Sequence, residues 1–166
     1  MTLRLLTPLA VLLAIALAPP AHAQILEARQ AVFGMDCSPC AYALERRLGR
    51  LDGVEGVTVS LNESEAVVRL RNGNAARLGA LREAVREAGF DPRATALRLA
   101  GTLRQSDGRW TLVTPTGERF HVVTAAADAR DALRARDGQR VVVTGRVAEG
   151  APSEAGWALR GAALAS

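Results

Sequence analysis

The chain has only two cysteines, Cys37 and Cys40, and they stand where one hydrophobic pattern gives way to another. Before them Ala31-Val32-Phe33 closes a strand-like run; after them, from Ala41, apolar residues recur at helical spacing. Gly34-Met35-Asp36-Cys37-Ser38-Pro39-Cys40 is therefore a turn that leads a strand straight into a helix. Two thiols at C-x-x-C spacing either grip a soft metal ion or cycle between dithiol and disulfide. A purely structural disulfide is the plainer alternative, but a loop this small does little to staple a domain.

The pattern around the pair extends in both directions. Ile25 to Phe33 reads as a first strand, and Leu44, Leu48 and Leu51 follow at i, i+4, i+7, with Asp52-Gly53 ending that helix. Val57, Val59 and Leu61 alternate with Thr58 and Ser60, as a half-buried strand requires. After Asn62-Glu63-Ser64 the chain returns through Ala66, Val68 and Leu70. A second helix carries Leu78, Leu81, Val85 and Ala88 on one face, with Gly89 placed to cap it. A strand through Leu97 and Leu99 completes a βαββαβ order, the ferredoxin-like split, within an α+β chain.

Beyond residue 99 the strands become shorter. Ala100 to Gln105, Trp110 to Thr114 and Arg119 to Thr124 are divided by Ser106-Asp107-Gly108 and Pro115-Thr116-Gly117. Thr124 is a candidate N-cap for a short helix through Arg134, with Asp128 and Asp131 near its start and Asp137-Gly138 at its end. Strands at Gln139 to Val147 and Trp157 to Leu164 follow. Three strands, a helix and two strands is the order of a small OB-like β-barrel. The expected division is residues 24–99 and residues 100–166. One long strand near Ala94-Thr95-Ala96 is an alternative to a linker, since nothing richer in loop residues separates the halves.

Residues 1–23 read as an address. Arg4 precedes an apolar run from Leu5 to Leu17, then Pro19-Pro20, then Ala21-His22-Ala23 at an A-x-A cleavage site. The run falls short of the roughly 20 residues a spanning helix needs. The expected mature protein begins at Gln24 and works in the periplasm or otherwise outside the cytoplasm. Lysine is absent and the net charge is +4. An exported protein does not meet the usual nucleic-acid partners, so this charge bears on solubility and association.

The loop and its setting resemble the heavy-metal-associated domain family of copper chaperones, metal-pump amino-terminal domains and periplasmic mercury-binding proteins. The resemblance covers roughly residues 25–99 and rests on G-M-x-C-x-x-C between a first strand and first helix. It implies that Cys37 and Cys40 are metal ligands and that Met35 packs inward beneath the loop. Gly89-Phe90 matches the family's Gly-aromatic pair near the site; copper chaperones often carry a lysine there, and this chain has none. In the family, an aspartate before the first cysteine accompanies some domains that bind Zn(II), which makes Asp36 a possible third ligand.

The residues support the same roles. Cys40 belongs in the first helical turn, where unpaired N–H groups and the macrodipole favour a thiolate, and Cys37 lies just outside it. Soft sulfur favours Cu(I) or Hg(II), while Zn(II) prefers four ligands and would need Asp36 and more. Capture and transfer of such an ion is not catalysis. A membrane metal transporter or another periplasmic metal-binding protein is the expected partner. A thiol–disulfide redox protein is the rival reading, although the aromatic residue usual before a thioredoxin-type cysteine is missing. A metal sensor or adaptor for a transporter is the third. His121 reads as a structural or surface histidine, Trp110 and Trp157 as core, and the later arginines as a solvated surface.

Overall fold

Alternation places Ala28, Gln30 and Val32 on the inner side of β1 (Gln24–Phe33), and a register irregularity between Ile25 and Glu27 lets Ile25 be buried as well. The structure, a computed structural model, describes residues 24–124 and 126–165; the expected export segment 1–23 lies outside the described residues. Next come α1 (Ser38–Gly49), β2 (Val54–Ser60), β3 (Glu65–Leu70) and α2 (Leu78–Glu87). Leu44 and Leu48 of α1 and Leu78, Leu81 and Val85 of α2 are buried, so the spacing read in the sequence is the spacing that packs. With β4 (Asp91–Ser106), strands in the order β2-β3-β1-β4, all antiparallel, complete the ferredoxin-like α+β unit.

Gly89 ends α2 as expected. It has φ +90°, its N–H donates to Arg86 O at 2.8 Å, and the Phe90 N–H donates to Val85 O at 3.2 Å. These are the paired bonds of a Schellman cap, which a left-handed glycine adopts without steric cost.

Of the two arrangements the sequence allows near residue 100, separate strands or one long strand, the structure has the second: β4 (Asp91–Ser106) is sixteen residues long. It pairs with β1 through Ala100, with β5 (Arg109–Val113) from Thr102, and with β7 (Arg140–Val147) from Thr95 to Thr102. Leu97 thus faces Ala28 on one side and Gly145 on the other. The boundary expected after residue 99 falls inside this shared strand. No turn residue interrupts Leu97-Arg98-Leu99-Ala100, so nothing local stops the strand there.

β6 (Arg119–Val123) and β8 (Trp157–Leu164) complete a series β4-β5-β6-β8-β7, and the β7–β4 pairing closes it into a ring. Only the β6–β8 pairing in that ring is parallel. Leu99, Leu103, Leu112, Phe120, Val143 and Leu159 are buried, as are both tryptophans. α3 (Ala127–Arg134) buries Leu133, but its N-cap is Ala126 and not Thr124, and no side chain bonds the helix start. Asp128 does sit in its first turn. Among the described residues no helix is long and apolar enough to cross a membrane.

Between α2 and the ring lies a buried polar chain that the periodicity did not reveal. Thr95 donates to Gln30 Oε1 at 2.7 Å and accepts from Arg82 Nε at 3.2 Å. Arg82, 1% exposed, also donates to the carbonyls of Ala148 and Gly150 at 2.8 Å each, and stacks 4.9 Å from the Trp157 ring centroid. Trp157 Nε1 donates to Glu118 Oε1 at 2.8 Å, and Glu118 Oε2 accepts from the Leu78 N–H at 3.2 Å. α2 begins at Arg77 without its own side-chain cap, so an acid forty residues further along the chain satisfies an open N–H and complements the helix dipole.

Candidate metal-binding site

β1 delivers the chain to the loop with Val32 inside and Phe33 outside, and Phe33 is 60% exposed. Gly34 then turns at φ +88°, a conformation that favours glycine. The turn buries Met35, as the resemblance implied, and leaves Asp36 exposed. Cys37 is the N-cap of α1: its backbone is extended and its Sγ accepts the Cys40 N–H at 3.2 Å. Pro39 lies in the first turn, where its missing N–H leaves nothing unpaired, and no acid competes there for the positive helix end. Arg46 and Arg47 complement the other end.

Both sulfurs are half-buried at the molecular surface. One ligand atom from each of Asp36, Cys37 and Cys40 lies within 4.8 Å of the others, the one such cluster of three among the described residues. The structure has Cys37 and Cys40 joined as a disulfide. In that form neither sulfur is a thiolate, and two-electron reduction must precede metal capture.

Beside the loop, a groove of about 470 Å³ is lined by Phe33, Met35, Asp36, Glu63, Ser64 and Arg93 among others. The Arg93 guanidinium lies 4.8 Å from the Phe33 ring centroid and pairs with Glu149 at 2.9 Å. Phe33 was assigned only to the strand; strict alternation after a buried Val32 was the signal that it faces outward. Arg93 carried no such signal.

Residues 30–91 match the model of the heavy-metal-associated domain. This segment belongs to that family. Among solved structures, the CopZ metallochaperone is 26% identical, with 40% of this chain and 97% of that one aligned and a TM-score of 0.38. The yeast copper transporter domain Ccc2a is 32% identical over 40% of this chain and 89% of its own, at TM-score 0.37. The copper chaperone of Enterococcus hirae is 31% identical over 39% and 94%, at TM-score 0.36. No curated protein matches the chain.

Within the heavy-metal-associated domain, the structure brings Asp36 together with Cys37 and Cys40 and leaves His121 apart from them. His121 Nδ1 lies 3.2 Å from the Thr111 hydroxyl and Nε2 contacts the Ala155 carbonyl, so both ring nitrogens have partners.

Proposed function

We propose that the protein is an exported carrier that captures a soft metal ion through Cys37 and Cys40 and passes it on by ligand exchange. The carrying observation is the cluster of exposed Asp36 with half-buried Cys37 and Cys40 at the start of α1, within a heavy-metal-associated domain. Two sulfurs suffice for Cu(I) or Hg(II), and an accessible two-sulfur site leaves an approach for a partner's sulfur. The partner is a membrane metal transporter or another periplasmic metal-binding protein. The export segment at residues 1–23 supports the location. Residues 24–99 are the metal unit in this reading. The closed five-strand ring, with α3 between its third and fourth strands, supports an OB-type accessory domain after them.

Titration of the full mature chain tests this. The reduced protein is expected to take up one Cu(I) per monomer in competition with a chromophoric chelator, and the oxidised protein none. The Cys37–Cys40 bond favours one second reading, a thiol–disulfide redox protein. Rapid disulfide exchange with a dithiol substrate, together with no Cu(I) uptake by the reduced form, would select that reading.

Asp36 is the candidate for discriminating between ions. Asp36→Ala is expected to weaken Zn(II) by roughly 1–3 kcal/mol while leaving Cu(I) nearly unchanged, because only Zn(II) needs a ligand beyond the two sulfurs. Parallel competition titrations check this; equal losses for both ions, or none, would make Asp36 an ordinary loop acid.

A further inference from the structure

On the sheet face crossed by β1, β4, β7 and β8, the strand registers align one row of residues. Arg29 is opposite Ala96, Ala96 is opposite Arg146, and Arg146 is opposite Arg160. Arg29, Arg146 and Arg160 are exposed, and with Arg98 they line a groove of about 590 Å³ in which Glu27 is the single acid. Neighbouring strands lie about 4.8 Å apart, so the arginines on either side of Ala96 are separated by roughly 10 Å at the backbone. The alanine makes a low floor between them. Arg29 is held by Glu65 at 2.8 Å, but neither Arg146 nor Arg160 has an ion pair among the described residues.

Like charges placed directly opposite each other across two strands destabilise a sheet. Arg146 and Arg160 are such a pair, and a ligand with negative oxygens would relieve it. Arginine forks suit phosphate and carboxylate oxygens, and several forks around one floor suit a multivalent ion better than a monovalent one. We propose that this row binds a compact, soluble polyvalent oxyanion of the phosphate type above Ala96. The site is separate in sequence and in its lining from the Cys37–Cys40 loop, and it needs no metal.

The test is calorimetric titration of the full mature chain with inorganic pyrophosphate at low ionic strength. Saturable binding is expected, weakening as salt rises, and at least tenfold weaker in Arg146→Ala and in Arg160→Ala. Ala96→Leu, which raises the floor, should weaken it comparably, whereas Cys37→Ser/Cys40→Ser should bind as the parent does. Without ligand, Arg160→Ala should melt no lower than the parent, because it removes an opposed charge; this separates a binding role from a structural one. Absence of pyrophosphate binding would overturn the proposal. So would binding unchanged in both arginine variants, or association with phosphatidylglycerol vesicles but not with pyrophosphate.

Discussion

Arg82→Met is expected to destabilise the protein by roughly 2–4 kcal/mol, the scale of losing hydrogen bonds donated by a charged group together with a cation–π contact. The Arg82 side chain bonds the Thr95 hydroxyl and the carbonyls of Ala148 and Gly150, and lies against Trp157. Methionine fills much of the same volume but donates nothing, so the buried Thr95 hydroxyl loses its donor at about 1–3 kcal/mol, while the carbonyls of the exposed Ala148 and Gly150 can turn to water at smaller cost. Loss of the contact with the indole face adds about 0.5–2 kcal/mol. Burial lowers the Arg82 pKa from its ordinary value, with Arg86 adding to the effect and Glu149 opposing it. The guanidinium nevertheless keeps its proton. Arg82→Lys should be intermediate, since an ammonium group cannot spread its donors as a planar fork does. Urea denaturation of the three proteins measures this. A loss below about 1 kcal/mol for Arg82→Met would show that the bridge contributes little net stability, as buried ionic groups sometimes do.

The same bridge bears on the proposed division of the chain. A fragment of residues 24–99 would lose the carbonyls of Ala148 and Gly150, the Trp157 ring, the Glu118 cap on α2 and the β7 partner of β4. That fragment is expected to unfold at lower urea than the full chain.

Cys37→Ser/Cys40→Ser is expected to abolish stoichiometric Cu(I) binding, lowering affinity at least about a thousandfold, or roughly 4 kcal/mol. The fold should survive. Serine is a better N-cap than most residues and can accept the N–H that Cys37 Sγ now accepts, so the start of α1 keeps its cap. Losing the disulfide from so short a loop costs at most about 2 kcal/mol on the chain-entropy account. Chelator competition measures the affinity and far-ultraviolet circular dichroism the fold. Retained Cu(I) stoichiometry in a folded double variant would place the metal elsewhere and end the carrier proposal.

What the sequence determined was local. The order of strands and helices from Gln24 to Leu164, the left-handed Gly89 and the position of Cys37 before α1 all follow from periodicity and turn chemistry acting over a few residues. So does the cysteine pair, because a turn between strand and helix brings residues three apart together without distant help. Thr124 is not the cap: α3 starts two residues later at Ala126, with no side-chain cap bond, and buries Leu133.

Tertiary structure decided everything that depends on which segments meet. β7 pairs across the middle of β4, and pairing between residues 38 to 52 positions apart leaves no local trace. Arg82 lies four residues after Leu78 on the buried face of α2, so its spacing marked it as inward while its chemistry marked it as outward. The Thr95 hydroxyl, with the carbonyls of residues 148 and 150 and the indole of Trp157 supplied from the other end of the chain, makes that burial affordable. The arginine row likewise exists only through register, since Arg29, Arg146 and Arg160 become neighbours when four strands align.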